Sequence, residues 1–346
     1  MAKGLYTQGM CVLLRKPVAT AEIQERLSGF DLVGEDESME DDTASVTLVY
    51  DFRPEVNGHL LVTPATGPWP DEMGDPDESP ERFIAWSLGQ FGPLAYPGCL
   101  QRAGELSWGS EQGTLQIQDH HAHVRLLISY VLGVEEGEDE EVPLLPEDYE
   151  PLEELTFLTR AVAAVLEMPE AICYFNPGGE VLRDASGLRR GLNHAWNHDL
   201  PPLDMWTNVR LFRANDQWSL MDTVGNGQLD LPDLEAIFET ERYEASEVEG
   251  FLRSASLYLL QGDEEVEESD TADGPGDTLW MAMQCIDALS DPPRPTIRWI
   301  PQDDSHPPEE LLERGSVPEL SEDDWVEEDD EDDPFDDSHD LDEDLP

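Results

Sequence analysis

The stretch Thr207–Phe238, TNVRLFRANDQWSLMDTVGNGQLDLPDLEAIF, decides how the chain is read. Its runs Thr207–Ala214 and Trp218–Thr223 flank the turn-forming pair Asn215-Asp216 and predict a β-hairpin. A glycine-rich loop follows. Leu231–Phe238, with Pro232 near its start, then predicts a short helix. Hairpins interleaved with helices argue an α+β fold of mixed, mostly antiparallel sheet with packed helices, not a doubly wound parallel sheet.

Working outward, the same periodicities recur. Towards the C-terminus, Glu241–Leu260 places Phe251, Leu252, Ala255, Tyr258 and Leu259 on one side of a long helix, and Thr296–Ile300 is a last strand. Towards the N-terminus, Leu188–His198 reads as a helix with Ser186 near its cap. Ala171–Asn176 is a strand ended by the turn Pro177-Gly178-Gly179, and Leu152–Glu167 is a helix with apolar residues at helical spacing. Thr114–Gln118 and the nearly all-apolar Val124–Leu132 read as strands, the second central. Arg82–Leu88 is a short helix, and Ser45–Phe52 and His59–Thr63 pair about a turn at Pro54–Gly58. Met10–Arg15 is a buried strand, followed by a helix over Ala21–Leu27 with Thr20 as its cap.

Acidic or Pro/Gly-rich breaks at 34–43, 67–81, 133–151 and 262–277 read as exposed loops, because blocks of like charge repel one another. The expected organisation is an N-terminal α+β half over 1–133, an acidic linker or loop at 134–151, and a C-terminal α+β half over 152–315. The two halves form one domain or two packed units. A disordered acidic tail is expected over 316–346, where too little apolar surface offsets the entropy of ordering.

The 346 residues carry 79 acids against 19 bases, a formal charge of −60, and only Lys3 and Lys16 of the bases are lysines. Such a field repels nucleic-acid phosphates and anionic membranes and favours a basic protein partner. The N-terminus has no apolar signal core and no run approaches a membrane span, so a cytoplasmic location is expected. Cys11, Cys99, Cys173 and Cys285 are widely spaced without a CxxC, as buried reduced thiols would be.

Two constellations are candidates for metal, and no other cofactor is expected. Asp222, Asn226, Asp230 and Asp233 fall at positions 1, 5, 9 and 12 of a calcium loop of the EF-hand type, with Gly227 at its sharp turn. Val224 at position 3 has no side-chain oxygen, Asp233 is short for bidentate reach, and the preceding segment reads as a hairpin rather than an entering helix. His121 and His123 share a strand face, and His194 and His198 share a helix face; together they would suit a divalent transition metal. In the second pair Ala195 stands where the HExxH motif has its glutamate, which excludes a metalloprotease of that type.

No GxSxG, GxGxxG or P-loop occurs. Tryptophans at 69, 86, 108, 196, 206 and 218 suggest core positions or an interaction groove.

His120–Tyr130 (HHAHVRLLISY), Leu155–Asn176 (LTFLTRAVAAVLEMPEAICYFN), Pro202–Val209 (PLDMWTNV) and Met221–Glu235 (MDTVGNGQLDLPDLE) together resemble a bacterial domain of unknown function, family 4261, over roughly residues 10–301. The resemblance implies an architecture and no residue roles. The sequence thus leads to a non-enzymatic interaction module for a basic partner. The alternative is a metal-dependent hydrolase built on His121, His123, His194 and His198.

Overall fold

Strand β1 (Gln8–Leu14) is buried along its whole length, because both of its faces are apolar. Six further strands extend its sheet: β2 (Leu32–Ser38), β3 (Ser45–Arg53), β4 (Gly58–Ala65), β5 (Ala122–Ser129), β6 (Ala171–Asn176) and β7 (Val181–Arg183). Their spatial order is β2-β3-β4-β5-β1-β6-β7, with every pairing antiparallel. The computed structural model describes residues 3–38, 45–106, 115, 117–132, 144–262 and 265–315.

Helices α1 (Thr20–Arg26), α2 (Pro80–Ser87), α3 (Cys99–Glu105), α4 (Pro151–Leu166) and α5 (Ala185–Asn197) cover this first sheet. The strand period of two separates its faces. Met10, Val12, Leu14, Val124 and Leu126 meet Leu158 and Val162 of α4, Ile23 of α1 and Leu188 of α5 on one face. Cys11, Leu13, Cys173 and Phe175 meet Trp69, Trp86 of α2 and Leu100 of α3 on the other.

The second sheet contains β8 (Asn208–Arg213), β9 (Trp218–Val224), β10 (Asp233–Glu239), β11 (Thr271–Gly274), β12 (Thr278–Cys285) and β13 (Thr296–Pro301), in the order β11-β12-β13-β10-β9-β8. Only β10 and β13 run parallel. Helix α6 (Ala245–Gln261) lies on one face, where Val248 and Leu252 pack among Met221, Leu234, Phe238, Trp280 and Trp299.

Residues 1–315 form one compact unit. Strands from both sides of the acidic stretch 134–151 lie in the first sheet, and the change of sheet falls between Arg183 and Asn208. Two glycine turns join the sheets there. A Cβ on Gly179 would stand 1.7 Å from the Trp206 carbonyl oxygen, and one on Gly225 (φ 124°) would stand 2.6 Å from the same atom. The Trp206 carbonyl accepts from Asn176 Nδ2 (3.2 Å) and Gln228 Nε2 (2.9 Å), and the Asn208 amide donates to the Gly179 carbonyl (3.2 Å).

The structure corrects several local expectations. Leu231–Phe238 is not a helix: from Asp233 it is strand β10, because Leu234, Ala236 and Phe238 alternate with Glu235 and Ile237 and fill one side of a sheet. Of the strand expected at Thr114–Gln118, Ile117–Asp119 is a 3₁₀ turn, while Thr114 and Gln116 lie outside the described residues. The breaks at 34–43 and 262–277 contain strand residues of β2 and β11. Thr20 lies inside its helix with Ala19 at the cap, and Asp184 rather than Ser186 caps α5, accepting from the Gly187 amide. The expected tail, residues 316–346, lies outside the described residues.

Candidate functional site

The face of the second sheet turned away from α6 carries charge. Arg210 on β8 stands opposite Asp222 on β9, Asp222 opposite Glu235 on β10, and Glu235 opposite Arg298 on β13. The four form one row across four strands, and none has measurable exposure. Each has at least one strand neighbour in the core under α6, so strand alternation drives every one of them to the opposite face. Arg210 grips Asp222 with two bonds, Nε–Oδ1 at 3.0 Å and Nη2–Oδ2 at 2.6 Å. Arg298 Nε donates to Glu235 Oε2 (2.8 Å), and its Nη2 lies 2.7 Å from the same oxygen as an ion pair.

Three segments close over this row. Glu180, in the turn before β7, accepts from Arg210 Nη1 (3.0 Å) and from Arg102 Nε of α3 (2.7 Å), tying the ladder to the first sheet. The Ser290 hydroxyl donates to Asp222, and Arg294 Nη2 reaches the same carboxylate at 2.6 Å. The Leu289 amide donates to Glu235 (2.7 Å), and the Leu311 carbonyl accepts from Arg298 (3.2 Å).

Burial and neighbouring charge shift these groups in different directions. Burial disfavours an ionised Asp222, but Arg210 and Arg294 outweigh it and hold the carboxyl below its ordinary range. For Glu180, Asp233 and Glu235, burial wins over the neighbouring guanidiniums and pushes the carboxyls up. Arg210 is held above its usual value because Asp222 and Glu180 overcome its own desolvation. Taking away one member of such a row leaves a buried charge unpaired, at about 3–5 kcal/mol.

The residues of the expected calcium loop do not converge on a common point. Asp222 spends both oxygens on Arg210, Ser290 and Arg294. Asp233 accepts from the Thr223 hydroxyl (2.8 Å) and from the Asn226 and Gly225 amides (3.0 and 3.3 Å). The Asn226 side chain bonds Thr207, the Pro232 carbonyl and Ser256, and half-exposed Asp230 pairs with Lys3 at 3.1 Å. This loop is the clasp between the sheets.

The histidines lie on opposite faces of the first sheet. His123 is buried beside Trp69, with Nδ1 bonded to the Gly67 carbonyl (3.0 Å), whereas Leu188 and Leu192 seat α5 in the core of the other face. His194 and His198 stack at 4.3 Å on the exposed end of α5, and His121 is exposed just before β5. A hydrolytic centre from His121, His123, His194 and His198 therefore does not assemble. Among the described residues no group of three or more His, Cys, Asp or Glu side chains is placed to hold a metal ion.

The expected buried thiols are found: all four cysteines are buried and free. Trp69, Trp86, Trp206 and Trp218 are buried, Trp196 is 63% exposed on α5, and Trp108 lies outside the described residues.

Beside the ladder lies a cavity of about 530 Å³. Phe212, Leu220, Leu289 and Leu311 give it apolar walls; Arg102, Ser290, Asp291 and Glu310 are its polar groups.

Apart from Asp222, read as a calcium ligand, the ladder and its covering arginine were not singled out from the sequence. Their signal is a charge between apolar neighbours inside a strand, as in Val209-Arg210-Leu211, Leu234-Glu235-Ala236 and Ile297-Arg298-Trp299. That pattern is shared by any strand with one wet face, so it becomes informative only once a second layer is known to cover that face.

The fold and this site define an α+β protein whose second sheet buries an ionic row. Residues 222–300 match the family described as Domain of unknown function (DUF4261). The resemblance read from the sequence is thus present on the second sheet, from Asp222 in β9 to Ile300 in β13, and the matched span contains Glu235, Arg294 and Arg298. Neither the curated proteins nor the solved structures include a match to the chain. Among the described residues no helix is long and apolar enough to cross a membrane.

Proposed function

We propose that the protein is a non-catalytic interaction module whose acidic exterior engages a basic protein partner. The observation that carries this reading is the acidic excess of residues 1–315, which folding leaves on the exterior. All 19 bases lie within residues 1–315, and those residues still hold 62 of the 79 acids, a formal −43. Several of those bases are turned inward: Lys3, Arg210, Arg294 and Arg298 are buried against internal carboxylates or carbonyls. Five acids, Glu154, Glu180, Asp222, Asp233 and Glu235, are buried as well, so the exterior keeps nearly the whole acidic excess of the composition, and a field of that sign speeds association with cationic surfaces and repels phosphate backbones.

The test is affinity capture with the full-length chain and with residues 1–315, followed by reconstitution with each purified partner. The expected partner has a pI above about 9 and loses affinity steeply as salt shortens the Debye length from about 10 Å at 0.1 M to 3 Å at 1 M. Recovery of no partner by either form, or of one whose binding ignores salt, would overturn the reading.

A further inference from the structure

The cavity beside the ladder has a volume of about 530 Å³, within the range of small-molecule sites, roughly 300–1,000 Å³. Leu106, Phe212, Leu220, Leu289 and Leu311 offer aromatic and aliphatic walls to an apolar body.

The polar lining differs in how far it is already satisfied. The Ser290 hydroxyl donates to Asp222 and accepts from Arg210 Nη2 (2.9 Å), and Asp291 and Glu310 are exposed to solvent. Arg102 is different. Its Nε donates to Glu180 (2.7 Å) and its Nη1 to the Pro97 carbonyl (2.8 Å), but its Nη2 is buried and has no acceptor among the described residues. Glu180 also accepts from Arg210 Nη1 (3.0 Å), so one carboxylate serves two guanidiniums. The alternating chain Arg294–Asp222–Arg210–Glu180–Arg102 therefore ends at the cavity on a cation with a donor to spare. A buried donor without an acceptor is costly, and an acceptor brought by a ligand relieves that cost.

The acceptor's charge follows from its surroundings. A hydrogen bond from an ionised donor is about twice as strong as a neutral one, even to an uncharged oxygen. A carboxylate would gain attraction to Arg102, but it would also meet Asp291, Glu310 and the field of the whole acidic chain. An ammonium offers no acceptor at all.

We infer that the cavity binds a small ligand with an apolar body and an uncharged carbonyl oxygen. The body covers the Phe212, Leu220, Leu289 and Leu311 walls. The carbonyl accepts from Arg102 Nη2, which comes within reach as the lining side chains give way around the ligand.

Ligand-observed NMR titration of the full-length protein at about 0.15 M salt tests this with three probes that share a phenylalkyl body: 4-phenylbutan-2-one, 3-phenylpropanoate and 3-phenylpropylammonium. The ketone is expected to bind saturably at millimolar concentration or below, the carboxylate more weakly, and the ammonium not at all. Raising the salt to about 1 M shortens the Debye length from about 8 Å to about 3 Å, and is expected to tighten the carboxylate and leave the ketone unchanged. Arg102→Met removes the donor and is expected to weaken the ketone by about tenfold or more. Because that change also loosens the hold on Glu180, Ala214→Trp serves as a second variant. It keeps every charge, fills the cavity from an exposed position just after β8, and is expected to abolish ketone binding. Unchanged urea midpoints would show that the variants fold.

The proposal is overturned by no saturable binding of the ketone at millimolar concentration, or by a carboxylate or ammonium that binds more tightly than the ketone at about 0.15 M salt. Ketone binding that survives Ala214→Trp, or that is unchanged in folded Arg102→Met, also overturns it. Affinity capture reads the whole exterior, so the interaction reading stands or falls separately.

Discussion

Strands β1 and β13 are both buried along their whole length, yet they bury different things. β1 presents Met10, Val12 and Leu14 to one layer of helices and Cys11 and Leu13 to another. β13 presents Ile297 and Trp299 to α6 but Thr296 and Arg298 to its other side, where Glu235 accepts from both. The first sheet is held by contacts that any apolar side chain of suitable size satisfies. The second depends on partners that must all be present. Stability in the first is distributed, whereas in the second it is conditional.

The largest test of this contrast lies at the joint. Gly179→Ala puts a methyl group 1.7 Å from the Trp206 carbonyl oxygen, a backbone atom that cannot turn aside. A loss of about 4 kcal/mol or more is expected by denaturant unfolding, because relief requires the two sheets to separate. A loss under about 1 kcal/mol would show that the clasp does not hold them.

Next comes the ladder itself. Glu235→Leu should cost about 3–5 kcal/mol by leaving Arg298 buried and unpaired. Adding Arg298→Met should restore at least half of that loss, since an apolar pair of similar volume substitutes for a buried ion pair. Additive losses in the double variant would mean that the row does not act as a unit, and the contrast between the sheets would fail.

Much of the contrast's first half was legible in the sequence. Apolar runs such as Met10–Leu14, and Val124–Ile128 broken only by Arg125, report a strand covered on both sides, and the Ala-rich Leu155–Leu166 reports the helix that covers it. The second half was not. Leu231–Phe238 read as a helix because Pro232 is a good first-turn residue and the strand's apolar period spans only a few positions. The same error hid Glu235, which on a helix would have faced water. The aspartates of the glycine-rich loop read as candidate ligands because their spacing suits a cation. Their actual partners, Arg294, Ser290 and Thr223, come from the far end of the chain or from the strand just before, and no local spacing reports them.

A smaller effect concerns the one ionisable imidazole enclosed in the first sheet's core. Burial, with Arg125 nearby, pushes His123 from 6.5 down to about 3. Between those values the unfolded chain binds a proton that the folded chain does not, so this contribution is intact above pH 6.5 and is lost as pH falls through the window. His123→Gln should therefore lose less stability than the parent between pH 6.5 and 4, read as urea midpoints. Parallel curves would count against a neutral, enclosed imidazole.

The smallest effect is expected at Asp230, whose bond to Lys3 is half in water. Asp230→Asn should change stability by about 1 kcal/mol or less, and the change should shrink in high salt. A loss as large as that of Glu235→Leu would extend the conditional region to the N-terminal arm.

The parallel pairing of β10 with β13 has a consequence in time. Glu235 and Arg298 are 63 residues apart, and Asp222 and Arg294 are 72 apart. On a ribosome adding about 5–20 residues per second, Glu235 waits roughly 3–13 s before Arg298 is even made. Through that interval the hairpin of β8 and β9 and the strand β10 hold their carboxylates in water, and the row cannot close. A nascent chain halted before Arg294 would carry a complete first sheet and an open, acid-lined second one. The row of the second sheet can thus close only once its last strand has emerged.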